Sequence, residues 1–264
     1  MEPPGRTAAI LYMSLANALH FGAYELARSA IMALFTSNST GFASTVTLTL
    51  ATGLVSPFSV ALLYVHRRVF DRHGPRRSLL YTSIAYAVAM SMTAVVLRLC
   101  SFESEDHHSN NLRKRISQCW IVVLFVVKNA FVQLLSAQHW SFLTTVLSSS
   151  DRDAKWTPII AGIASVAATC AGFLVTPLLR WLSQSRSKDD DSISKGSITS
   201  NCSSSSNDGL TGLLLIAAAI MMLTAYCSDE AYRIAQEVCQ HSRSAMLRDP
   251  ARSRLKEQAR GHGR

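Results

Sequence analysis

Long apolar blocks alternate with crowded polar stretches along the whole chain. Six blocks, at about 8–35, 43–64, 79–98, 119–147, 157–182 and 209–227, approach or exceed the roughly 20 apolar residues that a helix needs to cross a bilayer. The third, "LLYTSIAYAVAMSMTAVVL", and the sixth, "GLTGLLLIAAAIMMLTAYC", carry no charge at all. In hydrocarbon a backbone must satisfy its own N–H and C=O groups, so such blocks are helices by default. The pattern predicts an all-α, polytopic membrane protein with a six-span domain over 1–227.

The connectors differ in kind. "SNSTGFA" is short and uncharged, whereas 183–208 is a Ser-rich, low-complexity loop that cannot bury enough apolar surface to fold and is expected to be disordered. The tail, 228–264, is basic, with a helix-like start at "DEAYRIAQEV". Six spans place both termini on one side. About 16 of the 26 Lys and Arg fall on that side, which the positive-inside rule makes the cytosol. The sequons at Asn38 and Asn201 then fall outside. The lipid bilayer is the first partner this implies, and the basic tail suits anionic headgroups at about 1 kcal/mol per basic group. A nucleic-acid partner is excluded, because the basic stretches are separated by spans.

Composition adds little chemistry. The six cysteines, Cys100, Cys119, Cys170, Cys202, Cys227 and Cys239, have no metal-ligand spacing and read as small buried hydrophobes. His107 and His108 sit in a polar loop and read as solvated. No nucleophile–base arrangement or phosphate-cradling glycine loop occurs, so neither an enzyme nor a cofactor nor a metal is expected. The polar groups within spans are more informative, since each is costly there. Glu25 and Arg28 are three apart on one helical face and can pair. His20 reads as a packed or interfacial residue. Lys128, Gln133, Gln138 and His139 make the fourth block unusually polar, and Asn129, Gln133 and Ser136 share a face. Ala164, Ala168 and Gly172, with Ala161, Ser165 and Thr169, form small-residue ladders suited to close helix packing. Pro57 and Pro177 are expected to kink their helices.

Between the second and third blocks, "DRHGPRRSLL" resembles the D-R-x-G-x-R-R signature of the major facilitator superfamily, through Asp71, Arg72, Gly74, Arg76 and Arg77. Arg67 stands where that family usually has glycine. Further on, "SAQHWSFLTTVLSSSDRDAKWTPIIAGIASVAATCAG" resembles the ATP/ADP translocase type of nucleotide transporter. Ser136, Trp140, Asp153, Ala154, Lys155, Pro158, Gly162 and Gly172 fit its outline, as do Tyr24 and Arg28 in the first span. Lys128 replaces that family's acidic residue, and Ile31 its second basic one.

The resemblance implies one half of a transporter that normally has two halves with substrate between them, completed by a second half or a homodimer. The implied substrate is an anionic solute such as ATP or ADP. Arg28 and Lys128 would attract it, beside Glu25, while Gln133 and Gln138 orient it. The turns Asp71–Arg77 and Asp153–Lys155 would act as conformational hinges. The competing expectation is a degenerate half-transporter that serves as a membrane scaffold or adaptor through its Ser-rich loop and basic tail.

Overall fold

Each apolar block becomes helix, and most helices run past the block's ends. The computed structural model describes residues 4–36, 45–102, 110–147, 156–190 and 204–248. They form α1 (Pro4–Thr36), α2 (Thr45–Phe102), α3 (Asn110–Leu147), α4 (Trp156–Asp190) and α5 (Ser204–Arg248). Among the described residues there is no other secondary structure. Four stretches are long and apolar enough to cross a membrane: Thr47–Leu99, Arg115–Thr144, Thr157–Leu182 and Gly209–Gln240. This fits an integral, multi-pass membrane protein.

The stretch expected to be a connector, 65–78, is helical except at Gly74. A straight helix of the 58 residues of α2 would be about 87 Å long, nearly three times a bilayer's hydrocarbon core. The chain does not run straight. His66 Nδ1 lies 3.1 Å from Ser78 Oγ, although twelve residues of straight helix would separate them by about 18 Å. The fold-back is made at Gly74, with φ 78° and ψ 172°, a region essentially reserved for glycine. Pro75 follows, and a residue before proline is driven out of the helical region while proline itself suits a helix's first turn. Gly-Pro therefore stops one arm and starts the next. Pro57 and Pro177 do neither: both sit inside helices whose dihedrals stay helical around them.

α1 lies at the centre. It packs against α3, α4 and α5, most extensively α5, and buries Ala9, Met13, Ala16, Ala23, Ala27, Ala30 and Ile31. The small side chains allow close approach. A Cβ on Gly5 would stand 2.6 Å from Val238 of α5, and one on Gly22 would just touch Ala171 of α4. α1 is not among the four helices apolar enough to cross a membrane unaided. Packed against three other helices, it does not need to be, and its Ser14, Asn17 and His20 are buried.

The first arm of α2 and most of α4 have the opposite character. Leu50, Leu54, Phe58, Leu63, Ile159, Ile163, Val166, Phe173 and Leu174 are all exposed. Water would not tolerate two such apolar faces, but lipid does. Hydroxyl side chains throughout the bundle bond their own helix's backbone: Ser14 to Ile10 O, Thr52 to Leu48 O, Thr93 to Ala89 O, Thr169 to Ser165 O and Thr224 to Ile220 O. A polar group without water is thereby satisfied within its own helix.

Other expectations are corrected here. The Ser-rich stretch is helical at 183–190 and 204–208, because α4 and α5 extend into it, and 191–203 lies outside the described residues. The tail is helical to Arg248. Of the cysteines whose side chains are described, only Cys227 is buried, while Cys119, Cys170 and Cys239 are exposed, as lipid-facing helices allow. The small-residue ladder of α4 is split. Ala164 is buried, but Ala161, Ser165, Thr169 and Gly172 are exposed, since α1 packs on the face that carries Ala171.

Gly74→Ala is expected to destabilise the protein by about 1–3 kcal/mol, the cost of holding a side chain at that φ. Gly162→Ala, in a helix interior with open space around it, should leave stability unchanged or raise it by up to about 1 kcal/mol. Thermal unfolding of the two purified variants in detergent measures both.

Candidate functional site

The end of the bundle that holds the Gly74 turn is tied by a chain of polar contacts. Arg76, two residues past the turn, reaches Asp229 of α5 through two parallel bonds, Nε to Oδ1 at 2.6 Å and Nη2 to Oδ2 at 2.8 Å. Both side chains are about one-third exposed, at 33% each. A planar fork facing a carboxylate is the strongest form of this contact. On the other side of the turn, His66 meets α3. Gln138 Nε2 stands 2.8 Å from His66 Nε2, and Ser78 Oγ stands 3.1 Å from His66 Nδ1. The Gln138 amide nitrogen, which only donates, lies within 3.0 Å of both ring nitrogens and donates to the one that carries the lone pair.

The next residue of α3 continues the chain inward. His139 Nδ1 donates to Leu135 O at 2.8 Å, which leaves Nε2 to accept from the Ser228 hydroxyl at 3.4 Å. Its ring lies 5.6 Å from that of His20 on α1, centroid to centroid. Both rings are fully buried. Neither nitrogen of His20 has a hydrogen-bond partner among the described residues, and neither polar atom of Asn17, one turn earlier, has one either. Phe142 closes the level edge-on against Tyr232 of α5.

A second polar level lies further along α1 and α3. Lys128 is buried, with Nζ 5.0 Å from the centre of the Tyr24 ring and 5.2 Å from that of Phe125. Among the described residues no carboxylate forms a salt bridge with it, and the aromatic faces supply the negative potential instead. Tyr86 of α2 stacks on Phe131, at 5.4 Å and 12° between planes, and its hydroxyl has no hydrogen-bond partner among the described residues. Arg28 pairs with Glu25 at 3.3 Å, as their spacing predicts. Its side chain is 56% exposed, and it follows Tyr24, whose ring faces Lys128, by about one helical turn. The structure thus brings Tyr24, Glu25, Arg28 and Lys128 together. Gln133 is exposed on α3, and Gln138 belongs to the other level, where its Oε1 is left without a partner. Asn129 donates to Phe125 O.

Within the D-R-x-G-x-R-R stretch, Gly74 makes the turn and Arg76 makes the tie, while Asp71, Arg72 and Arg77 are exposed. Asp153, Lys155, the sequon asparagines and the His107-His108 pair lie outside the described residues. Sequence reasoning did not single out Asp229, His66, Ser78 or Ser228. Asp229 carries a usable signal, an acid immediately after the uncharged block 209–227. Its partner, 153 residues away, is visible only in the fold.

The Arg76–Asp229 pair is expected to contribute about 1 kcal/mol of coupling, as a two-pronged contact at a partly exposed site does. Arg76→Lys should lose most of it, because an ammonium cannot fork. The exchange of both residues, Arg76→Asp with Asp229→Arg, should recover part. A double-mutant cycle on unfolding midpoints measures the coupling.

No family model, curated protein or solved structure matches the chain, so the geometry of these side chains carries the functional reading.

Proposed function

We propose that the protein is a membrane transporter of the half-bundle kind, with six spans, both termini in the cytosol, and an anionic solute such as a nucleotide as its substrate. In this reading the two arms of α2 are separate spans joined by a cytosolic turn at Gly74. The observation that carries it is the buried Lys128 of α3 against the Tyr24 ring of α1, about one helical turn from Arg28. Two cations in a low-dielectric bundle, one of them without a carboxylate, attract an anion far more strongly than they would in water. Arg28, half exposed, meets the solute first, and Lys128 answers from behind the aromatic faces. Gln133, exposed on α3, orients polar groups of the solute, while Gln138, tied to His66 about 15 Å along α3 from Lys128, stands apart from it.

The turn supports the same reading. A glycine-only conformation followed by an arginine that grips a second helix is a hinge that holds one state by a releasable contact. Solute would pass as the first arm of α2 swings on Gly74. A second half, or a second copy, would face the apolar sides of α2 and α4.

Counterflow of labelled ATP into liposomes holding the purified chain tests this. Arg28→Ala and Lys128→Gln are each expected to lower the rate by about tenfold or more, the worth of a hydrogen bond to a charged group. Absence of uptake for every anion tried, with helical content intact, would sink transport and leave the scaffold reading.

A further inference from the structure

Between the second arm of α2 and α5 the surface of the bundle is hollow. The groove holds about 670 Å³ and runs from Ala87 to Leu99 on α2, beside Leu215 to Met222 on α5. Small side chains leave the space: Ala87 and Ser91 on one wall, Ala218 and Ala219 on the other. Ser91 carries the only hydroxyl among the lining residues, and it donates to Ala87 O at 3.0 Å. The groove therefore has no free hydrogen-bonding side chain to offer, which disfavours a nucleotide or any other polar solute there.

Its place and shape select an occupant. Arg76 ties the turn end of this arm to Asp229, and the groove lies further on, reaching Leu99 where the apolar stretch ends. From Ala87 to Leu99 the helix rises about 18 Å, close to one leaflet of a hydrocarbon core about 30 Å thick. Spread over that rise, 670 Å³ gives a cross-section of about 37 Å², a channel about 7 Å across. A helix with its side chains is about 10–12 Å wide and does not fit within it. A file of methylene groups, in contact at about 4 Å, does.

The mouth of the groove is positively charged. Arg98 is exposed, about one helical turn past Val95 and two past Ser91, so it shares their face of α2. Trp120 of α3 donates its indole N–H to Thr93 Oγ1 at 3.1 Å, which sets the two antiparallel helices at one depth. Arg115, five residues before Trp120 and exposed, therefore lies at the level of Arg98, five residues after Thr93. Neither α3 nor the second arm of α2 contains an acidic residue. Among the described residues no carboxylate forms a salt bridge with either arginine.

We propose that this groove binds an anionic phospholipid from the leaflet opposite the Gly74 turn. One acyl chain lies between α2 and α5, and Arg98 holds the phosphate, with Arg115 adding to the local positive charge. The acyl chain supplies partner atoms to walls that otherwise lack them. Any lipid of this length fills the hollow, so the arginines decide the headgroup. The site requires the second arm of α2 to be a span, as proposed above, and does not require transport.

The test places the full chain in phosphatidylcholine liposomes with a few per cent of phosphatidylglycerol that carries a photoactivatable diazirine in one acyl chain. After illumination, mass spectrometry of peptides locates the adducts. They are expected to concentrate at Met92, Val95 and Met222, and to be displaced by added phosphatidylglycerol but not by added phosphatidylcholine. Arg98→Gln should lower them by about fivefold or more, the worth of one basic group at a membrane surface. Ala219→Phe should remove them by filling the groove from an exposed position. In both variants, adducts at Leu54 and Phe58 of the first arm should persist and report a folded, inserted chain. The proposal is overturned if wild-type groove adducts are absent, or no denser than those at Leu54 and Phe58. It is equally overturned if neutral lipid displaces them as well, or if Arg98→Gln leaves them unchanged. Cross-linking of Met92 to Met222 of another copy would also overturn it, by showing a second copy of the chain in the groove.

Discussion

The grip of Arg76 on both carboxylate oxygens of Asp229 is the contact on which the placement of α2 depends. Without it, a helix broken at glycine would be free to pivot, because the first arm of α2 buries little of its own surface. The pair joins the start of the second arm to the middle of α5. His66, bonded to Ser78 across the break and to Gln138 of α3, holds the first arm back against the same end of the bundle. Gly74 sets the direction of the turn, and these side chains set its angle.

The rest of the bundle follows from where polar groups find partners. α1 carries the buried Ser14, Asn17 and His20 and sits where three other helices pack on it. α4 and the first arm of α2 are apolar outside, and their hydroxyls bond back to their own carbonyls. A membrane protein has little hydrophobic drive to bring helices together, so small residues and polar ties take that role. Both are present: Gly5 against Val238, Gly22 near Ala171, and the Arg76–Asp229 fork.

Two polar levels result, and they differ in kind. One combines Lys128 and Arg28 with aromatic faces and has charge to offer a solute. The other, around His139, is neutral and joined residue by residue to the ties of α2. Their separation along α3 keeps the buried charge of the one apart from the ties that fix the turn in the other.

Much of this was legible from residue order. Apolar block length alone determined that the chain is helical and built to cross a membrane, because a backbone in hydrocarbon has no other way to satisfy itself. The spacing of Glu25 and Arg28 determined their pairing, and the break at Gly74 falls within the turn Asp71–Arg77 expected between the second and third blocks. These are local effects, decided within one or two helical turns. What the sequence did not decide is which polar groups meet. Asp71 lies in the same motif as Arg76, yet Asp229 of α5 takes the arginine, and Asp71 is exposed. Helix ends were also misjudged, since α4 and α5 continue through Ser-rich and charged residues that can be helical at a bundle's edge. Partners 72, 89 or 153 residues apart are chosen by how helices cross and at what depth, and only the tertiary structure sets that.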